Sequence, residues 1–248
     1  MTIKVAGTYE TWVWEWSEPQ VRHDQLVKLA EKLDIVPTNL LDVGCGNGVL
    51  TGRLMEVLGL GKAVGLDQLG DKIESKVEGL DILRCDIDSE SFPFGDRVFD
   101  LVHLGETFEH LYFPDKCLDE IYRVLKPEGI CIITTPNLGA WTSRIALLCG
   151  FQPYPVSVST EHEELGKFGL KPGFHGQWGH IRVPTLRALK KLLEIHKFRI
   201  VRIEGWEQGM AQVHVENSLL GKLVGVVDSI ISRVSPNCAS RLALVVRK

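Results

Sequence analysis

The sequence predicts an α/β protein: a parallel sheet, doubly wound, with helices on both faces. Three observations carry this. Apolar strand-like runs alternate with helical patterns at short intervals from residue 40 to residue 137. Those runs, ICII among them, are apolar at nearly every position, as burial from both sides demands. A glycine turn, GCGNG, follows the first run, at the strand end where open α/β sheets bind ligands.

The elements follow in order. VRHDQLVKLAEKLDIV repeats Val21, Leu26, Leu29, Ala30 and Leu33 at helical spacing. NLLDVG is a short strand entering the turn, VLTGRLMEVLG a helix, and KAVGLD a second strand. DKIESKVEG (71–79) reads as a polar helix, DILRCDID as a third strand and FDLVHLG as a fourth. DKCLDEIYRVL is the next helix, KPEG a turn in which Gly129 ends it, and GICIITTPN the fifth strand. After TTPN the rhythm breaks into a proline- and glycine-rich stretch, 138–180, longer than an ordinary connection and of the kind used for lids. PTLRALKKLLEIHKFRIVRIEGW restores a helix, with Pro184 at its start, and a strand. SLLGKLVGVVDSIISRV (218–234) reads as a core-covering helix, with a membrane surface or a second subunit as alternatives, and LALVVRK as the last strand. The expected organisation is one domain, 1–248, with an N-terminal arm and helix (1–36) and a substrate-side lid (138–180).

Bulk properties narrow the function. Apolar residues make up 44% and charged residues 24%, ordinary for a globular protein. A net charge of −4 supplies no general attraction for a polyphosphate backbone, so nucleic acid is disfavoured as a partner. Six scattered cysteines without a CxxC pair suit reduced thiols. The N-terminus shows no apolar signal core, and no run is apolar enough to span a bilayer. A soluble cytoplasmic protein, monomer or homodimer, is the expectation.

Gly44, Gly46 and Gly48 let a ligand lie against bare backbone. Asp67 ends the second strand, where a carboxylate can accept both hydroxyls of a ribose. The spacing is GxGxG and not GxGxxG, which argues against NAD.

From Asp42 in LDVGCGNG through Asp67 in GLD and Asp86 in CDID to FDLVHLGETFEHL and EIYRVLKPEG, the chain resembles the class I S-adenosylmethionine-dependent methyltransferases. The resemblance implies a Rossmann-like, seven-stranded, mostly parallel sheet whose final strand, LALVVRK, inserts antiparallel. It implies S-adenosylmethionine as cofactor, with Gly44 and Gly46 at its methionine end, Asp67 on the ribose, Asp86 and Ile87 facing the adenine, and Gly105 beside the sulfonium. Asp42, Cys45, Gly48 and Gln68 complete that set, and a resemblance to ubiquinone-biosynthesis O-methyltransferases implies that Arg22 pairs with the cofactor carboxylate.

GETFEHL spaces Glu106, Glu109 and His110 at i, i+3 and i+4, one face of a helix if a helix begins there. The ExxEH spacing is similar to that of ubiquinone-biosynthesis O-methyltransferases and of small-RNA 2′-O-methyltransferases. That resemblance implies a divalent metal such as Mg, and the RNA group adds a distant histidine for which His180 is the counterpart. Three readings stand side by side: Glu106, Glu109, His110 and His180 bind a metal; Glu106, His110 and His180 do metal-free acid–base work; or the residues cap and orient local structure. His175 and Trp178 are further substrate-side candidates. His162 reads first as part of a solvated charge run, with an active-site role as the alternative. Trp12, Trp14 and Trp16 share one face of an extended arm that packs on the domain or walls an aromatic pocket. The leading function is methyl transfer to an oxygen of a small metabolite. RNA 2′-O-methylation and a non-catalytic cofactor- or partner-binding module are the alternatives.

Overall fold

The computed structural model describes residues 21–73, 75–159, 161–169, 179–207 and 219–248, with the side chains of 21, 22 and 219–222 outside that description. Trp12, Trp14, Trp16, His175, Trp178 and the Arg22 side chain therefore lie outside the described residues. Val21–Ala30 (α1) precedes Leu40–Val43 (β1), Val49–Leu58 (α2), Ala63–Asp67 (β2) and Leu80–Arg84 (β3). Phe99–Gly105 (β4), Pro114–Val124 (α3), Leu125–Pro136 (β5) and Trp141–Leu148 (α4) follow. Leu186–Ile195 (α5), Arg199–Trp206 (β6), Leu219–Val234 (α6) and Arg241–Arg247 (β7) complete the chain.

The sheet runs β3-β2-β1-β4-β5-β7-β6. Strands β1 to β5 pair in parallel. β7 lies between β5 and β6, antiparallel to both, so the last strand is inserted as expected. The chain winds outward from β1 to β3, then crosses back to place β4 on the other side of β1. The order reverses there, and the carboxyl ends of β1 and β4 diverge to open a crevice.

Alternate residues of each strand feed two cores, as the pleat requires. Leu41, Val43, Val102 and Leu104 pack with Leu118, Ile121 and Leu189 from α3 and α5. Leu40, Leu101, Ile130 and Ile132 pack with Leu26, Leu29, Leu54 and Met55 from α1 and α2. Each such side chain contributes about 1.5–3 kcal/mol through removal from water. Central strands read as continuous apolar runs because both faces are covered.

Three local expectations are corrected. Among its described residues, 71–79 forms no α-helix; only the 3-10 turn Gly70–Lys72 appears. Its two apolar residues, Ile73 and Val77, make too narrow a stripe to offset the entropy of a helix. Gly129 does not end a helix: α3 stops at Val124, and KPEG bulges within β5, where the pairing register shifts between Phe99 and Leu101. Glu128 takes the positive φ of 63°. Finally, α6 covers the core with its polar side. Asp228 and Ser232 are buried, while Leu223, Val226, Ile230 and Val234 are exposed. Asp228 accepts hydrogen bonds from Trp141 Nε1 and Ser240 Oγ, both at 2.8 Å, which ties α4 and the residue preceding β7 to this helix.

All six cysteines are free thiols. No helix of the described residues is long and apolar enough to cross a membrane.

Candidate active site

The glycine turn is folded onto the end of β2. Gly44 and Cys45 donate their N–H groups to Leu66 O at 2.8 and 3.1 Å. Gly44 has φ +77°, and a Cβ there would collide with Thr107. Gly46 has φ +54°, yet a Cβ there would meet nothing within 4 Å. Gly44 is thus glycine for want of room, whereas Gly46 leaves open space on its exposed side. Cys45 turns its thiol inward against Gly65, and burial pushes that thiol up, well above its ordinary range. Any ligand contact from Cys45 would come through its backbone.

Asp67, buried at the tip of β2, accepts the N–H of Gly46 at 3.1 Å and of Leu69 at 2.9 Å. The expected ribose residue therefore also braces the turn beside it. Gln68 next to it is exposed. Asp86 spends its carboxylate locally, on Asp88 N–H at 3.1 Å and on Ser89 Oγ. Ile87 packs partly against the first core cluster.

Asp42 and His103 are directly paired in the β1–β4 register and sit on one face of the sheet. His103 Nδ1 lies 2.8 Å from Asp42 Oδ1, and Thr51 Oγ1 of α2 donates to Asp42 Oδ2. Both oxygens of Asp42 are occupied, and it is 2% exposed. Through these bonds Asp42 ties α2 and β4 together beneath the turn. His103 was not among the sequence candidates, since FDLVHL reads as a plain apolar strand. A polar residue at paired positions of two otherwise apolar strands was the signal.

The expectation that Glu106, Glu109 and His110 share a helical face is also corrected. Only the 3-10 turn Phe108–His110 forms. Glu106 takes a left-handed φ of 51°, uncommon for a residue with a Cβ, and its carboxylate faces Arg241 Nε at 2.9 Å. Arg241 comes from β7, which sequence spacing could not place here. Glu109 turns the other way. It is 1% exposed and accepts a hydrogen bond from Thr135 Oγ1 at 3.0 Å.

Ligand atoms of Glu109, His110 and His180 lie within 4.8 Å of one another; Glu106 is not in that group. The His110 and His180 rings meet edge to face with centroids 4.9 Å apart, and His180 Nε2 is 3.9 Å from Glu109 Oε1. Backbone bonds clamp the cluster: Ile181 and Arg182 donate to Glu109 O at 2.7 and 3.0 Å. Burial, reinforced by Glu106, raises the Glu109 carboxyl to about 8. Burial, with His110 alongside, lowers His180 to about 4, and burial lowers His110 as well. His162, by contrast, is exposed, with Nδ1 3.8 Å from Glu164 Oε1.

A family model described as "Methyltransferase domain" matches residues 37–167, from the approach to β1 into the insertion. The chain belongs to the class I S-adenosylmethionine-dependent methyltransferases. It is 36% identical over 196 residues to a demethylmenaquinone methyltransferase of Lactobacillus johnsonii, covering 71% of this chain and 73% of that one. It is 30% identical over 162 residues to a mitochondrial ubiquinone biosynthesis O-methyltransferase of Dictyostelium discoideum, covering 58% and 49%. The chain spans 44% and 49% of the length of two of the curated relatives it matches. A Thermotoga maritima structure titled as a SAM-dependent methyltransferase, possible histamine N-methyltransferase, aligns with TM-score 0.58 and 16% identity, covering 97% of this chain and 94% of that one.

The cofactor of this methyltransferase is S-adenosylmethionine. The residues present suit it: open space over Gly46, a buried carboxylate at the end of β2, and a buried imidazole nitrogen of His103 that finds no hydrogen-bond partner among the described residues.

Proposed function

We propose that this methyltransferase places the methyl group on a hydroxyl oxygen of a small, lipid-like metabolite, with Glu109, His110 and His180 receiving the acceptor. The convergence of buried Glu109 with the half-buried His110 and His180 just after the carboxyl end of β4 carries the reading. Bound S-adenosylmethionine supplies an electrophilic methyl on a sulfonium; the chain must align the hydroxyl and accept its proton. Near neutral pH both imidazoles are held uncharged by burial. His180 Nδ1 lies 2.9 Å from Pro155 O, so this nitrogen carries the proton and Nε2 presents a lone pair toward the cluster. Glu109, protonated below about 8, can donate a hydrogen bond to an incoming oxygen and orient it.

The same groups could hold a divalent cation in place of the Glu109 proton. One carboxylate and two imidazoles form a donor set that suits Zn or Mn better than Mg, which prefers oxygen ligands. A cation there would lower the pKa of a hydroxyl bound to it. Glu106 falls outside the set because it faces Arg241. In this reading the insertion 138–180 serves the acceptor side, supported by its last residue, His180, which joins the cluster while tied to Pro155. The relative named as a ubiquinone biosynthesis O-methyltransferase supports oxygen as the acceptor atom.

The test supplies labelled S-adenosylmethionine with a panel of hydroxylated, amino and ring-carbon acceptors, in chelator and with Zn, Mn or Mg restored. The expected outcome is label on oxygen, lost in His180→Ala. Label on nitrogen or carbon, or full turnover in both Glu109→Gln and His180→Ala, would discard the proposal.

A further inference from the structure

We propose that His103 is a positioning residue for the cofactor, its Nε2 accepting a hydrogen bond from the ammonium at the amino-acid end of S-adenosylmethionine. The inference begins with an unmet valence. His103 is 1% exposed and its Nδ1 is committed to Asp42, but its buried Nε2 has no hydrogen-bond partner among the described residues. Leaving a polar atom in that condition is costly, and a native structure that does so needs a reason.

The sheet register supplies the location. Leu40, Leu41 and Asp42 pair with Leu101, Val102 and His103. Two residues beyond His103, on the same face, Gly105 ends β4, while Gly44 directly follows β1 at the switch point. The imidazole fills the space a Cβ would need at Gly105: such a Cβ would collide with both Cε1 and Nε2 of His103. The unpartnered nitrogen therefore lies directly beneath the crevice. Gly105 must be glycine because the ring is there, whatever the cofactor also requires.

Charge selects which donor is received. Asp42 is a buried carboxylate whose described partners are a hydroxyl and an imidazole, neither with a fixed positive charge. If Asp42 accepts Nδ1–H, then Nε2 is a lone pair backed by a buried anion, a site that favours a cationic donor. S-adenosylmethionine carries neutral donors on its ribose and base, and one ammonium at its amino-acid end. Asp67 stands on β2, the neighbour of β1 away from His103, so the two acceptors flank the central strand and suit opposite parts of one ligand. The carboxylate of the amino-acid end would instead add like charge beside Asp42.

Two ligands separate this role from a merely structural one. S-adenosylhomocysteine carries the amino-acid end; 5′-methylthioadenosine is the same nucleoside without it. Calorimetry on the full chain should show His103→Asn, which can keep the Asp42 bond, weakening S-adenosylhomocysteine by about tenfold or more while leaving 5′-methylthioadenosine within about twofold. His103→Gln, which restores a polar group near the Nε2 position, should recover most of that loss. In the wild-type protein, the ¹⁵N resonance of Nε2 should be of the unprotonated type and should shift upfield with S-adenosylhomocysteine but not with 5′-methylthioadenosine. Equal losses for both ligands, no loss for either, or a protonated Nε2 in the complex would overturn the proposal. Wild-type protein that bound neither ligand would point instead to failure of the cofactor assignment.

Discussion

The two sides of the crevice are built differently. The cofactor side is local and made largely of main chain: Gly44 to Gly48, with Asp67 close behind in sequence, and its loop N–H groups already tied to Leu66 and Asp67. The proposed acceptor side is assembled from Glu109 and His110 on one segment and His180 at the end of the insertion, all with shifted protonation. A nucleoside held identically in every turnover calls for rigid short-range geometry. Moving a hydroxyl proton calls for titratable groups in a low-dielectric site, where their interactions are strong and their desolvation is expensive. The first demand can be met within one βαβ unit; the second needs side chains brought from afar.

This contrast can be broken by mutation, and the largest effect is expected on the acceptor side. Glu109→Gln combined with His180→Ala should lower turnover by roughly 10²–10⁴-fold, with S-adenosylhomocysteine affinity within about twofold of wild type by calorimetry. A large loss of cofactor affinity would show that the two sides are not separable. Next is Asp67→Ala, which removes an acceptor for the ribose and the brace on Gly46. Charge-assisted bonds of about 1.5–3 kcal/mol each predict a roughly 100-fold loss of cofactor affinity; an unchanged isotherm would undo the assignment of that carboxylate.

Smaller is the cost of crowding beneath the crevice. Gly105→Ala drives a methyl into the His103 ring and should destabilise the fold by about 1–3 kcal/mol in urea titration. The same substitution made in a His103→Ala background should cost much less, and equal costs would remove the imidazole as the cause.

Smallest is a pH effect on stability. Glu109 is raised from 4.5 to about 8 in the fold, so its contribution is complete below about 4.5 and is lost as pH rises through about 8. His180, lowered from 6.5 to about 4, contributes above 6.5 and loses that contribution as pH falls through about 4. Between pH 6.5 and 8 the Glu109 term acts without the histidine term. Wild-type Tm should decline across that window, and Glu109→Gln should flatten the decline. Parallel slopes in calorimetric scans would show that Glu109 does not hold its proton.

The amino-acid sequence by itself determined the strand–helix alternation, the glycine turn, the acid at the end of β2 and the insertion. Each is written in contiguous residues and obeys a short-range rule of periodicity or turn chemistry. It also brought Glu106, Glu109, His110 and His180 forward as a group, of which the structure gathers the last three. Tertiary structure alone decided that Glu106 turns to Arg241 from β7, and that Asp42 and His103 meet beneath the crevice. Those outcomes depend on which strands become neighbours and on how far water is excluded between them. Sheet register and local dielectric belong to the packed molecule, so no stretch of the chain carries them.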